Sequence, residues 1–155
     1  MRYLASLLLM FICSSLWAIG INEVRYQFHA IDNQKKLSKF IEAVKDISEE
    51  NMVPYKEAAN MKRAKYTFSP IKKLKYFNEG KDRLEEFIRQ HPKNIEARYV
   101  RVLIQSEVPS FLSYQNELQE DVKFINKYLT SSKLPDDYKM LMRKKVDEII
   151  QKNKL

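Results

Sequence analysis

Glycine is almost absent: the 155-residue chain carries two, Gly20 and Gly80. Phosphate-cradling loops, dinucleotide fingerprints and tight β-hairpin turns need glycine where φ is positive or where the backbone must approach a ligand, so none of them can be built here. Cysteine occurs once, as Cys13, which leaves the rest of the chain without disulfides, thiolate metal sites or a cysteine nucleophile. The single tryptophan is Trp17, and the two histidines, His29 and His91, lie far apart with nothing in the spacing to join them in a metal site. No serine sits in an elbow-like context. The carboxylates are scattered, and the pairs Glu49-Glu50 and Asp136-Asp137 read as helix ends rather than as acid/base pairs. The expectation is therefore no catalysis, no cofactor and no metal.

One long apolar run is present, at the start. Arg2 is the only charge before Glu23, and an apolar run from Leu4 to Ile12 follows it. Ala18-Ile19-Gly20 then places small side chains three residues and one residue before a peptidase cut. A positive start, a short apolar core and a small-residue cut are the order of a secretory signal, here residues 1–20. A permanent span needs roughly 20 apolar residues, and the run from Leu4 to Trp17 falls short of that. Cys13 raises the alternative of a lipid anchor, but Ile12 stands where that processing needs a small residue. The reading is a cleaved signal, cut near residues 18–20: a periplasmic or secreted protein with no transmembrane span in its mature form.

Removal of residues 1–20 leaves a chain long enough for one domain with its own core, residues 21–155. It loses Arg2, so 27 basic residues face 20 acidic ones. That balance favours anionic partners such as acidic proteins, lipid head groups or envelope polysaccharide, although basic surface also serves plain solubility. Export disfavours nucleic acid as a partner.

With glycine scarce and Lys, Glu, Leu and Ala abundant, an all-α fold of about seven helices is expected. The first helix, about Asn22 to Asp32, presents Val24, Phe28 and Ile31. The second follows Asn33 with Leu37, Phe40, Ile41, Val44 and Ile47 at i, i+3, i+4 and i+7 steps. Pro54 punctuates the third, which carries Tyr55, Ala58, Ala59, Met61 and Ala64. Ser69-Pro70 pairs an N-cap with a proline at the first helical position, and the fourth helix should face Ile71, Leu74, Phe77, Leu84, Phe87 and Ile88 inward. His91-Pro92 breaks it, with His91 as a capping side chain, and Asn94 caps a fifth ending near Ser106. A sixth from about Asn116 to Leu129 and a seventh after Asp136-Asp137 complete the set.

Gly80, Leu84, Phe87, Ile88, Pro92 and Asn94 stand at the spacing of the second helix of a tetratricopeptide repeat, and Ile95 to Tyr99 are similar to the start of the next. Val102 and Arg98 depart from that pattern, standing where the repeat has glycine and a large aromatic, and no second full copy follows. Over the stretch from Tyr55 to Tyr114 the chain resembles a group of small exported tetratricopeptide-like proteins of Bacteroidota-type Gram-negative bacteria. That resemblance implies a helical bundle or short solenoid with one divergent repeat-like helix pair, and an exported compartment. It implies no reaction.

Three features are candidates for function. Arg98, Arg101 and Gln105 form a stripe on the mostly apolar fifth helix. They either find internal partners among Glu117, Asp121 and Glu79 or line a groove that grips an anionic ligand. Between Glu57 and Glu79 there is no acid, yet Lys62, Arg63, Lys65, Lys72, Lys73 and Lys75 occur with Tyr66, Phe68, Tyr76 and Phe77 interleaved. That run is either a solvated helix face or a contact surface. The loop Val108 to Tyr114 carries Phe111, Leu112 and Tyr114, which either tuck into the core or, if Phe111 and Tyr114 are exposed, meet a partner. The leading expectation is a module binding an unknown protein partner in the cell envelope through the concave side of the helix pair. The alternative is an envelope-associated protein held to anionic lipid or polysaccharide by its basic face.

Overall fold

The computed structural model describes residues 19–154. Of the expected signal segment, residues 1–18 lie outside the described residues. Among those described, seven α-helices and three short 3-10 turns account for the regular structure, and there is no strand. The helices are α1 (Ile21–His29), α2 (Gln34–Val44), α3 (Val53–Lys62), α4 (Pro70–Gln90), α5 (Ile95–Glu107), α6 (Leu118–Tyr128) and α7 (Asp136–Asn153). The protein is all-α, as its composition requires, and no described helix is long and apolar enough to cross a membrane.

The boundaries follow local chemistry. Asn33, Ser69 and Asn94 each take extended backbone and accept a bond from the amide three residues on, from Lys36, Lys72 and Ala97 respectively. Pro54 and Pro70 sit in first turns, where a missing N–H costs nothing. Asp136 and Asp137 occupy the first turn of α7, where the helix dipole favours acid. With no glycine in the loops after Gly20, left-handed backbone falls to Ser113 and Lys154, at φ of 48° and 53°. At His91 it is the backbone N–H that caps α4, by bonding the Phe87 carbonyl; the ring stacks on Phe87 and meets Glu50 at 3.1 Å instead.

α5 is the centre. It packs against α3, α4, α6 and α7, and every residue from Tyr99 to Gln105 is buried. α3 and α4 form the tightest pair. At their crossing, a Cβ on Gly80 would lie 2.6 Å from the Glu57 carbonyl oxygen and 2.7 Å from the Met61 side chain. The remaining glycine is thus spent on close helix approach rather than on a turn. α1 and α2 close one side over Val24, Phe28, Leu37, Phe40 and Val44.

One expectation about the core is overturned. Ile71 and Leu74 do not face inward: they are 80% and 51% exposed. α4 has 21 residues and its partner α3 has 10, so the first turns of α4 outrun the helix that would cover them. α2 also stops at Val44, leaving Ile47 half-buried in the link that follows, and Ala64 falls in the 3-10 turn Arg63–Tyr66 instead of α3.

Candidate functional site

Two buried ionic networks tie the bundle together. In the first, the Arg25 guanidinium of α1 donates from Nε and Nη2 to both oxygens of Glu96 on α5, each at 2.7 Å. Glu96 also accepts the Tyr55 hydroxyl at 2.5 Å, and the Tyr55 and Tyr138 hydroxyls lie 2.6 Å apart. The Arg25 guanidinium stands 5.1 Å from the Tyr138 ring centre, and the neighbouring Tyr26 hydroxyl donates to Asp137. Burial first, then the nearby Tyr138 and Glu96, hold the Tyr55 phenol well above its ordinary range, so it stays protonated and serves as a donor. One carboxylate thereby joins α1, α3, α5 and, through the phenols, α7.

His29 borders this cluster, with its Nε2 3.3 Å from the Tyr99 hydroxyl. Burial, followed by the charges of Lys145 and Lys62, pushes its pKa down to about 4. It is a neutral, partly buried imidazole at ordinary pH. No group of three or more metal-ligating side chains exists among the described residues.

The second network contains the expected arginine stripe. Asp121 on α6 is fully buried and accepts from Arg101 Nε at 2.6 Å, Arg101 Nη2 at 2.9 Å and Arg98 Nη1 at 2.7 Å. Arg101 also reaches Glu85 at 2.6 Å, Arg98 reaches the Pro92 carbonyl at 2.8 Å, and Gln105 donates to Glu117 at 2.9 Å. Tyr114 donates to Glu85 and packs edge-on against Phe77. The stripe therefore faces carboxylates of α4 and α6 and the loop between α5 and α6. Asp121 and Glu117 are partners the sequence suggests, Glu79 is not one, and Glu85 is an addition. Gln105 Oε1 is buried without a protein partner.

The open surface lies elsewhere. A groove of about 820 Å³ runs between the end of α3 with its 3-10 turn, the first turns of α4, and the loop after α5. Buried Met61, Phe77 and Ile104 make its floor. Ala64, Tyr66, Leu74, Val108 and Leu112 line the sides, and Phe111, 80% exposed, stands on the loop lip. Ile71 lies one turn before Leu74 on α4, and Phe68, wholly exposed, precedes that helix. Lys62, Lys65, Lys73 and Lys152 also line the groove, with one carboxylate, Glu107, which Lys62 holds at 3.2 Å.

The structure thus merges two of the three sequence features. The basic–aromatic run and the loop Val108 to Leu112 are opposite walls of one concavity. Lys73 lines it. Lys72 and Lys75 are exposed on α4 without lining it, and Lys75 lies 3.9 Å from Glu79. Phe111 is presented, whereas Tyr114 is buried and committed to Glu85, which withdraws it as a contact residue. Arg98, Arg101 and Gln105 do not line the groove.

Sequence reasoning missed Arg25, Glu96 and the tyrosines they join. The available signal was that Tyr55, Tyr99 and Tyr138 fall at inward helical positions, where each hydroxyl needs a partner. Compared with known proteins, the chain matches no family model, no curated protein and no solved structure.

Proposed function

We propose that this protein is an exported helical binding module, and that the groove between α3, α4 and the loop after α5 is where it holds another protein of the cell envelope. The observation that carries this reading is the exposed apolar surface gathered there. Leu74 and Phe111 line the groove, and Ile71 and Phe68 extend along the same segment of chain. Large apolar side chains left this exposed and this close together mark an interaction surface. α3 packs with α4 and α5 with α6 as successive pairs, and the groove lies at one end of the first pair. Export rests on residues 1–20 of the sequence. The reading assigns no catalysis: the buried carboxylates Glu96 and Asp121 are engaged by arginines and a phenol.

The test is capture from an envelope fraction with three baits: the native protein, a Leu74→Glu/Phe111→Glu variant, and a Met140→Glu control. Met140 is 69% exposed on α7 and does not line the groove. The reading predicts that a bound protein is retained by the native and control baits and lost by the groove variant. Equal retention by all three would refute it.

A further inference from the structure

We infer that the occupant of the groove is an amphipathic helix with acidic flanks, contributed by the partner protein. The inference rests on the binding reading above and specifies the chemistry of what is bound.

The first argument is backbone hydrogen bonding. A peptide segment entering an apolar groove leaves water, and its N–H and C=O groups then need partners. An extended segment obtains them from a sheet edge, but no strand exists among the described residues. At the start of the non-helical wall, Val108 and Pro109 are already engaged within the chain. The Val108 N–H bonds the Ile104 carbonyl, and the Val108 carbonyl accepts from Gln115 at 3.0 Å. Pro109 has no N–H to give, and its carbonyl accepts from Leu112. The groove thus offers a bound segment no continuous ladder of backbone partners, and a helix, which satisfies its own backbone, fits such a site.

The second argument is charge. Lys65, Lys73 and Lys152 line the groove and have no carboxylate within ion-pair distance among the described residues. The one lining carboxylate, Glu107, is engaged by Lys62. The unengaged polar groups are thus cations around an apolar floor, which complements glutamate or aspartate beside an apolar stripe.

The third argument is shape. The groove's volume is within the roughly 300–1,000 Å³ of typical ligand sites, room for the apolar side chains of one helix face at i, i+3, i+4 and i+7. A flat anionic bilayer would meet Phe111 at the lip and leave the floor of Met61, Phe77 and Ile104 uncovered.

The experiment uses a fluorescent synthetic peptide of about 15 residues, a length at which an isolated helix is marginal in water. It carries leucines at i, i+3, i+4 and i+7 and glutamates on both flanks. Anisotropy and far-ultraviolet dichroism are read against a lysine-flanked version, a scrambled version and phosphatidylglycerol vesicles. The expected result is that the acidic peptide binds and gains helix. The lysine and scrambled versions should bind at least about tenfold more weakly, and Lys65→Glu/Lys73→Glu should weaken the acidic peptide about tenfold, as the loss of several exposed ion pairs implies. Leu74→Glu/Phe111→Glu should abolish binding, and because both residues are exposed the fold is retained, which the dichroism of the free protein checks. Equal binding of the scrambled or lysine-flanked peptide would overturn the inference. So would groove-dependent binding of vesicles in preference to the peptide, which assigns the surface to lipid. If capture from the envelope depends on the groove but no acidic peptide binds, the helical occupant falls while the binding reading stands. If groove variants leave that capture unchanged, the binding reading falls as well.

Discussion

Glu96 and Asp121 are single carboxylates that each satisfy several buried donors, and that makes them the most sensitive residues in the protein. Replacing both members of a buried ion pair by apolar groups can be neutral, but removing one strands the other's charge. Asp121→Ala leaves Arg98 and Arg101 without their shared acceptor and should cost about 3–5 kcal/mol of unfolding free energy, read from urea denaturation. Arg101→Ala should likewise destabilise by several kcal/mol while leaving peptide binding at the groove unchanged. Unaltered stability with lost binding would instead make the stripe a ligand site. His29 gives a pH signature with a definite sign. Its folded pKa of about 4 lies below the ordinary value of 6.5, so the unfolded chain binds the extra proton between these values. Stability is therefore full above about pH 6.5 and declines as pH falls toward 4, by about 3 kcal/mol for this group. A His29→Gln variant should lack that part of the slope.

At the scale of elements, the crossing of α3 and α4 sets propensity against packing. Alanine is better than glycine inside a helix by about 1 kcal/mol. At position 80, however, the new methyl would meet the Glu57 backbone carbonyl at 2.6 Å, and backbone cannot swing aside as a side chain can. Overpacking of this kind costs about 1–3 kcal/mol, so Gly80→Ala should lower the denaturation midpoint despite its helix preference. Asn94→Ala removes the cap that starts the central helix and should cost about 1 kcal/mol by the same measurement.

Elements were also what the sequence made most legible, because caps, prolines and apolar periodicity act within a few residues. Asn33, Ser69-Pro70, Asn94 and Asp136-Asp137 mark helix starts without reference to any distant contact. Ile71 and Leu74 show the limit of such reasoning. Their period places them on the apolar face of α4, but their burial depends on how far α3 extends, which is a property of another segment. The Arg25–Glu96 pair joins residues 71 apart in sequence, and no local pattern announces it. The groove was half legible. Its two walls stand out as a basic–aromatic run and an apolar loop, yet only the packing of α4 against α5 sets them opposite each other.

On the scale of the whole molecule, charge is divided by use. Arg25, Arg98 and Arg101 are engaged by the carboxylates Glu96 and Asp121, while the lysines and the exposed Arg83, Arg89 and Arg143 carry positive charge on the surface. Binding at the groove should therefore weaken, without vanishing, as salt rises from low to physiological concentration, since the Debye length shrinks to about 8 Å while the apolar contact persists. Collapse to no binding over that range would indicate attachment by lysines alone. The most direct measurement of the central claim is photo-crosslinking in intact cells from a reactive side chain at position 74 or 111, against one at position 140 on α7. The account predicts the same protein adduct from positions 74 and 111 and none from 140. An adduct shared by all three positions, or none from the two groove positions, would contradict it.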